Sequence, residues 1–185
     1  MAVCLTLADR PEKWQKFESQ EFPFPIRKHE GVKASPGGVG CRDSHFEILQ
    51  SIEGVATVFE DDCFMLQDGE TISRIMKELP NDWDALYLGA TLNQKIEQYS
   101  EGLYLLQNAY TTHAIIYNGR KIPDFVLQYR DDIRKIDVFY AEVVQANFNC
   151  FITAPLCATQ RPGYSDVINR AVDYSVIERR YNEFT

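Results

Sequence analysis

Three consecutive acidic residues form the part of this sequence best suited to chemistry. Glu60, Asp61 and Asp62 directly follow residues 55–59 (VATVF), an apolar, β-branched run that predicts a buried strand. In open α/β sheets, ligands bind beyond the carboxyl ends of the strands. Crowded carboxylates at such an end repel one another and lose hydration, and a divalent cation relieves both costs. The triplet therefore predicts an Mg²⁺ or Mn²⁺ site, and a solvent-facing acidic turn is the alternative.

Strand geometry separates the three carboxylates by direction. Because side chains alternate along a strand, we expect Glu60 and Asp62 to point to one side and Asp61 to the other. Glu60 and Asp62 are therefore the two candidate ligands of one metal ion. A cation shared by these two residues and a diphosphate group is a geometrically reasonable arrangement.

A glycine-rich segment followed by a helix is the second constellation, at residues 37–49 (GGVGCRDSHFEIL). The apolar stripe of this amphipathic helix consists of Cys41, His45, Ile48, Leu49 and Ile52. Gly38 and Gly40 precede the stripe, and the free N–H groups of a helix N-terminus suit a phosphate. Ser44 and His45 lie in the first turns, where we expect them to hydrogen-bond a phosphate or a ribose. Because His45 lies on the apolar stripe, a core histidine is the alternative.

The elements that must position these residues alternate between strand and helix. Strands are predicted at residues 3–7, 55–59, 85–88, 103–106, 114–117 and 151–154. Helices are predicted from about Pro11, along the stripe that ends at Ile52, and at residues 72–79, 123–129, 138–147 and 167–181, with a loop at 30–39. The alternation predicts an α/β sandwich around one mainly parallel sheet, with a small antiparallel part.

Composition limits the class of protein. The 185 residues suit a single domain spanning 1–185, and 27 acidic against 19 basic side chains leave a net charge of −8. Such acidity argues against a nucleic-acid binder, which needs a positive face. No apolar run approaches the length of a signal peptide or a transmembrane segment. The five cysteines are odd in number and contain no CxxC pair, which predicts buried thiols in a reduced, cytoplasmic protein without a zinc site.

Several short motifs, taken in order along residues 3–167, resemble one enzyme family. They are Asp9-Arg10-Pro11 after the first strand, Gly40-Cys41 with Ser44-His45 on a helix, the triplet Glu60-Asp61-Asp62, residues 112–116 (THAII), residues 136–139 (IDVF), Gln160, and Ser165-Asp166. The sequence resembles glycosyltransferase family 25, the lipopolysaccharide-type and collagen-type galactosyltransferases. The helix with its GCxxSH pattern, followed by the acidic triplet, is the most specific part of the resemblance.

The resemblance implies a GT-A-type fold, which is an α/β/α sandwich that binds a nucleotide diphosphate sugar. It also implies a DxD-like site at residues 60–62 that holds Mn²⁺ or Mg²⁺, with Asp62 as the first choice of ligand and Glu60 as the second. Contact of Glu60 with the ribose is the alternative. The implied contacts of the sugar donor are Leu7, Arg10, Ser44, His45, Glu60, Asp61 and His113. For Arg10 the alternative is a surface ion pair with Asp9, and for His113 it is a place in the core.

The catalytic base is expected to be a carboxylate. Members of the family are regarded as inverting, and one-step inversion needs a base that takes the proton from the acceptor hydroxyl. Asp137 is the first choice because it begins a predicted helix whose N-terminus favours its charge, and a simple helix cap is the alternative. Asp166 is the second choice. Its alternatives are a third metal or acceptor contact and a cap for the last helix.

These features together predict a metal-dependent glycosyltransferase. It would move a hexose, with galactose as the first choice, from a nucleotide diphosphate sugar such as a UDP-hexose to the hydroxyl of a saccharide acceptor. A catalytically silent nucleotide- or carbohydrate-binding module on the same fold is the first alternative. A metal-dependent phosphohydrolase that uses the same acids is the second, although the three histidines His29, His45 and His113 are few for such a site.

Overall fold

An eight-stranded sheet forms the centre of the molecule in the computed structural model, which describes residues 1–132 and 134–185. Its strands are β1 (Ala2–Thr6), β2 (Arg27–Glu30), β3 (Val55–Glu60), β5 (Ala85–Tyr87), β7 (Gln98–Ser100), β8 (Leu103–Leu105), β10 (Ala114–Asn118) and β11 (Cys150–Thr153). They lie in the order β2-β1-β3-β10-β5-β11-β8-β7. Only β8 and β10 run against the direction of the other strands in this sheet. The predicted mainly parallel sheet is therefore confirmed.

Three strand pairs lie outside this sheet. They are β4 (Cys63–Met65) with β12 (Ala158–Gln160), β6 (Thr91–Leu92) with β9 (Ala109–Tyr110), and β13 (Gly163–Ser165) with β14 (Arg170–Val172). All three pairs are antiparallel, which agrees with the predicted small antiparallel part. Each of these strands has two or three residues, so none is long enough to leave a clear alternation in the sequence.

The helices connect the strands and cover both faces of the sheet. They are α1 (Pro11–Glu18), α2 (Gly37–Gln50), α3 (Gly69–Met76), α4 (Lys121–Val126), α5 (Ile136–Phe139), α6 (Gln145–Asn147) and α7 (Val176–Phe184). A 3₁₀ turn at Leu127–Tyr129 extends α4, and a π-helical segment at Tyr140–Val144 joins α5 to α6. No helix in the described part of the chain is both long and apolar enough to cross a membrane.

Two hydrophobic cores, one on each face, hold the layers together. The alternation along β3 divides its side chains, so that Val58 joins the core under α2, α4, α5 and α7 while Phe59 joins the core under α1 and α3. Phe17 of α1 and Ile75 of α3 are fully buried in this second core. The chain thus forms the predicted α/β/α arrangement, with helices on both sides of one sheet.

The strand order opens a crevice at one edge of the sheet. β1 lies between β2 and β3 and is parallel to both. The chain therefore leaves β1 toward one side of the sheet and later returns on the other side to form β3. At such a switch point the connections after neighbouring strands diverge, which leaves room for a ligand beyond their carboxyl ends. The acidic triplet lies at this point, because β3 ends at Glu60.

The glycine-rich segment begins α2 earlier than the sequence predicted. The helix begins at Gly37 after the N-cap residue Pro36, whereas the pattern placed its start at Gly40. Gly40 is instead a close-packing position, because a Cβ there would lie 2.3 Å from the carbonyl oxygen of Val32. The loop between β2 and α2 is therefore shorter than the predicted loop at residues 30–39, since β2 continues to Glu30 and α2 begins at Gly37.

The predicted last helix at residues 167–181 is wrong over its first half. Residues 163–172 form the β13–β14 hairpin, and α7 begins only at Val176, after the N-cap residue Ser175. The hairpin reverses at a turn in which Asn169 has a φ of 54°, a left-handed conformation that asparagine tolerates better than most residues. Asp166 belongs to this turn, so it does not cap a helix.

Leu49→Ala is expected to destabilise the fold by about 2–5 kcal/mol, because Leu49 of α2 is fully buried against the sheet and its loss leaves a cavity. Urea unfolding followed by circular dichroism measures the change in free energy. Val55→Ala is the matched control, since Val55 is 47 % exposed and its truncation should cost far less. Equal losses for the two variants would contradict the packing described for α2.

Candidate functional site

A cavity of about 260 Å³ opens beyond the carboxyl ends of β1 and β3. Most of the residues that the sequence singled out line it, namely Leu7, Arg10, Ser44, Glu60, Asp61, Asp62, Asp137 and Asp166. They come from the ends of β1 and β3, from α2, from the start of α5 and from the C-terminal hairpin. His45 and His113 lie behind the wall and are almost completely buried. The fold thus brings widely separated motifs to one place.

All three residues of the acidic triplet line this cavity. β3 ends at Glu60, so the strand alternation on which the expected separation of Asp61 rests does not continue through Asp61 and Asp62. These two residues form the turn that leads into β4.

Different hydrogen bonds hold Asp61 and Asp62. The hydroxyl of Thr6 donates to Asp61 Oδ2 at 2.6 Å, and the ammonium of Lys13 lies 3.9 Å from Asp61 Oδ1. The side-chain amide of Gln160 donates to Asp62 Oδ1 at 3.0 Å. Asp62 Oδ2 accepts no hydrogen bond from any residue that the structure describes. Asp61 is therefore neutralised in part by Lys13, whereas Asp62 keeps one oxygen available for a ligand.

Glu60 is held through only one of its carboxylate oxygens. The hydroxyl of Thr112 donates to Oε1 at 2.7 Å, and Nε2 of His45 lies 3.2 Å from the same oxygen. Oε2 makes no hydrogen bond within the described chain. His45 and Thr112 thus fix the orientation of Glu60 and leave its second oxygen free.

Burial and the crowding of negative charge shift the pKa values of the triplet. Burial, reinforced by the neighbouring charge of Glu60, raises the pKa of Asp62 to about 7, and burial also raises the pKa of Asp61. Burial works against ionisation of Glu60 as well, but the hydrogen bonds from His45 and Thr112 outweigh it and lower its pKa. A bound cation would favour the ionised form of all three carboxylates.

Asp137 is the second residue of α5, and it does not cap that helix. The N-cap residue is Lys135, and Asp137 Oδ1 accepts a hydrogen bond from the backbone N–H of Val138 at 2.9 Å. Asp137 Oδ2 has no hydrogen-bond partner among the described residues. Burial, together with the charge of Glu60, raises the pKa of Asp137. A carboxylate with a raised pKa and a free oxygen in a cavity wall suits a general base.

Asp166 forms an ion pair across the cavity wall. Arg10 Nη2 donates to Asp166 Oδ1 at 2.8 Å, and the Arg10 guanidinium lies 5.5 Å from the centre of the Tyr164 ring. The ammonium of Lys13 donates to the carbonyl of Tyr164 at 3.2 Å. These contacts hold the β13–β14 hairpin against the wall. The proposed surface pair of Arg10 with Asp9 is not formed, because Asp9 pairs with Lys33.

The beginning of α2 supplies the positive side of the cavity. Gly37 and Gly38 line it beside the side chains of Lys33 and Lys135. The hydroxyl of Ser44 is already engaged, since it accepts from the backbone N–H of Val32 at 2.7 Å and donates to the carbonyl of Gly40 at 2.6 Å. Contact between Ser44 and a sugar donor stays a prediction, and the amides and lysines at the start of α2 are the stronger candidates for an anion.

His113 lies in the core and does not reach the cavity. Its side chain is fully buried, and neither ring nitrogen has a hydrogen-bond partner within the described residues. A Cβ on Gly89 would lie 2.8 Å from its Nε2, so the absence of a side chain at Gly89 makes room for the ring. This arrangement favours the alternative of a core histidine over contact with a sugar donor.

His113 is expected to make the protein less stable in mild acid. Burial lowers its pKa from 6.5 to about 4, so the unfolded chain binds a proton that the folded chain excludes between these values. Stability should be complete above pH 6.5 and fall by up to about 3 kcal/mol as the pH falls to 4. Urea unfolding at several pH values measures this slope. His113→Leu should flatten it, and an unchanged slope would contradict the assignment.

Cys41 is the one cysteine whose side chain lines the cavity. All five cysteines are free thiols, and Cys4, Cys63, Cys150 and Cys157 are buried as predicted, whereas Cys41 is only half-buried. The thiol of Cys41, the imidazole of His45 and the carboxylate of Glu60 offer ligand atoms within 4.8 Å of one another. The spacing of four residues between Cys41 and His45 could have indicated this cluster in the sequence.

Four further cavity residues received no role from the sequence, although Thr112 and Gln160 belong to the motifs that carry the family resemblance. Thr6, Lys13, Thr112 and Gln160 all contact the acidic triplet through hydrogen bonds or an ion pair. Each comes from a different part of the chain, and threonine, lysine and glutamine are common surface residues. Only their contacts in the folded chain place them at the acidic triplet.

No protein-family model matches the chain, and no curated protein matches it. Distant likenesses exist among solved structures. A 4-diphosphocytidyl-2C-methyl-D-erythritol synthase from Anaerococcus prevotii shares 10 % identity at a TM-score of 0.46, with 98 % of this chain and 77 % of that chain covered. A nucleoside-diphosphate-sugar pyrophosphorylase from Vibrio cholerae shares 11 % identity at 0.41, covering 100 % and 80 %. A197 from STIV shares 8 % identity at 0.39, covering 92 % of each chain. TM-scores this low do not establish a shared activity.

Proposed function

We propose that this protein is a metal-dependent glycosyltransferase of the family 25 type with a GT-A-like fold. It would move a hexose from a nucleotide diphosphate sugar to a saccharide hydroxyl with inversion. The observation that carries the proposal is the convergence of Glu60, Asp62 and Asp137 on one cavity beyond the ends of β1 and β3. Glu60 and Asp62 belong to one motif and Asp137 to another, and a transfer reaction uses a metal site and a base together.

The oxygen atoms available in the cavity fit a hard divalent cation. Asp62 Oδ2 and Glu60 Oε2 both lack hydrogen-bond partners in the described chain, and both residues line the cavity. Carboxylate oxygens are the ligands that Mg²⁺ and Mn²⁺ prefer. Bound there, the cation would neutralise negative charge on the departing nucleotide diphosphate. Asp62 and Glu60 are the residues that would hold it.

The positive side of the cavity supports the binding of a diphosphate. Gly37 and Gly38 in the first turn of α2 lie beside Lys33 and Lys135, on a wall that also includes Arg10. The helix N-terminus attracts an anion and Lys135 adds to this attraction, whereas Arg10 and Lys33 already pair with Asp166 and Asp9 and would have to exchange these partners for a phosphate. The net charge of −8 therefore does not conflict with an anionic substrate, because the surplus acids lie largely elsewhere on the surface.

Asp137 is the residue that would accept the proton of the acceptor hydroxyl. Its carboxylate has a free oxygen, a raised pKa and a place in the cavity wall. Asp166 is less suitable because its carboxylate is bound to Arg10. Proton transfer to Asp137 would coincide with attack of the acceptor oxygen on the anomeric carbon, and the nucleotide diphosphate would leave.

Calorimetry with nucleotide diphosphate hexoses, in the presence and absence of Mn²⁺, tests the binding half of the proposal. A transfer assay with saccharide acceptors then tests turnover. We expect binding that depends on Mn²⁺ and product that depends on the acceptor. Binding without turnover would favour a silent binding module, and acceptor-independent release of nucleotide would favour a phosphohydrolase. The absence of any binding would contradict both the transferase and a nucleotide-binding module.

A further inference from the structure

Cys41, His45 and Glu60 form a compact group of three different metal-binding side chains. Cys41 and His45 lie one turn apart on α2, so their side chains share one face of the helix. Glu60 approaches this face from the end of β3, with its Oε1 3.2 Å from His45 Nε2. One ligand atom from each side chain lies within 4.8 Å of the other two.

Two polar atoms of this group have no role in the hydrogen bonding of the fold. His45 is 1 % exposed, and its Nδ1 has no hydrogen-bond partner in the part of the chain that the structure describes. The thiol of Cys41 forms no hydrogen bond with a described residue either. Nδ1 and Nε2 point in different directions from the imidazole ring, so an ion that contacts Glu60 Oε1 can be bound by Nε2 but not by Nδ1. A metal held by Nε2, Glu60 Oε1 and the Cys41 thiol would replace the contact between Nε2 and Oε1, and Nδ1 would carry the proton of the ring.

We propose that Cys41, His45 and Glu60 bind a borderline transition-metal ion, with Zn²⁺ as the best match. Sulfur, imidazole nitrogen and carboxylate oxygen are the three ligand types that zinc accepts. Neighbouring ligands in a tetrahedral zinc site lie roughly 3.3–3.6 Å apart, so the observed group, whose ligand atoms lie within 4.8 Å of one another, would contract by at most about 1.5 Å. Cys41 and Glu60 both line the cavity, which leaves the fourth position of the metal facing it.

This site is separate from the cation held by Asp62 in the proposed function. Hard cations such as Mg²⁺ and Mn²⁺ prefer oxygen ligands and bind thiolates weakly, whereas zinc favours sulfur and nitrogen ligands. The two sites would share Glu60 through different oxygens, because Oε1 faces His45 and Oε2 is free of hydrogen bonds within the described chain. The zinc site does not depend on glycosyl transfer, and it departs from the sequence-based prediction of no zinc site, which only the metal measurement tests.

Metal content and spectroscopy test the site without any activity assay. The full chain is stripped with a chelator, and zinc affinity is then measured by competition with a zinc-binding dye. We expect one zinc per chain, and we expect Cys41→Ser to weaken its binding by about 100-fold or more. Co²⁺ in place of zinc should give the near-ultraviolet charge-transfer absorption of a cobalt–thiolate bond. This measurement on the unaltered protein stands even if a variant folds poorly.

Two control variants make the outcome specific. Cys150→Ser removes a buried thiol that does not line the cavity, and it should keep both the zinc affinity and the cobalt–thiolate absorption. Asp62→Asn should keep zinc while losing the Mn²⁺-dependent binding of a nucleotide sugar. Failure to bind one zinc, a cobalt spectrum without the thiolate absorption, or equal weakening by the two cysteine variants would overturn the zinc site. Mn²⁺-dependent calorimetry on zinc-free protein tests the proposed function separately.

Discussion

Asp62→Asn is expected to weaken the Mn²⁺-dependent binding of a nucleotide diphosphate sugar by about 100-fold or more and to reduce transfer to a similar extent. The amide removes the negative charge and leaves the hydrogen-bonding partner Gln160 in place. Because burial and the charge of Glu60 already raise the pKa of Asp62 to about 7, the uncharged side chain should not destabilise the fold. Calorimetry with Mn²⁺ and a UDP-hexose measures the loss.

The matched control for this prediction is Asp131→Asn, which removes an equal charge from an exposed position outside the cavity. It should bind the nucleotide sugar as the unaltered protein does. Thermal unfolding of both variants shows whether they are folded. Full Mn²⁺-dependent binding by folded Asp62→Asn would exclude Asp62 as a metal ligand and would remove the main support for a metal-dependent transferase.

Asp137→Asn is expected to lower kcat by about 10²–10⁴ while leaving the affinity for the sugar donor close to that of the unaltered protein. An amide cannot accept the acceptor proton, but it can still accept the hydrogen bond from the N–H of Val138. Since burial raises the pKa of Asp137, the unaltered enzyme should lose activity on the acidic side at a pH above the ordinary range of an aspartate. Initial rates across a pH series measure both effects.

The substitution Asp166→Asn distinguishes a role of Asp166 as the catalytic base from a role in a structural ion pair. It replaces a carboxylate that also lines the cavity but is bound to Arg10. We expect a smaller fall in kcat than for Asp137→Asn, together with weaker closure of the C-terminal hairpin over the cavity. Faster amide hydrogen exchange in residues 163–172 would report that weakening. If Asp166→Asn showed the larger loss of kcat and Asp137→Asn showed little, the roles of the two carboxylates would be reversed.

The sequence predicted the framework of the sheet because its central strands are local signals. Residues 55–59, 114–117 and 151–154 are apolar runs, and the structure has strands that match them within a residue or so. In the helices that cover the sheet, the apolar residues likewise recur in the sequence at the spacing of a buried helix face. The short strands β4, β6 and β9 were missed, since two or three residues do not form a pattern.

The prediction of a final helix at residues 167–181 was wrong over its first half for a related reason. Residues 167–181 have apolar residues at intervals that a helix could use, but residues 163–172 form a hairpin that packs over the cavity. The ion pair of Arg10 with Asp166 and the contact of Lys13 with Tyr164 help to hold the hairpin there. These partners lie more than 150 positions apart in the chain, so no local pattern could indicate them.

By itself, the sequence determined the place of the acidic triplet at the end of a buried strand and the helix that carries Cys41 and His45. Both depend on short-range periodicity, which is readable in one chain. Only the tertiary structure decided that Asp61 joins Glu60 and Asp62 in one cavity, that His45 meets Glu60, and that a thiol completes a possible metal site. These outcomes depend on where β3 ends and on how α2 packs against it, because side chains from different elements meet only through the topology of the sheet.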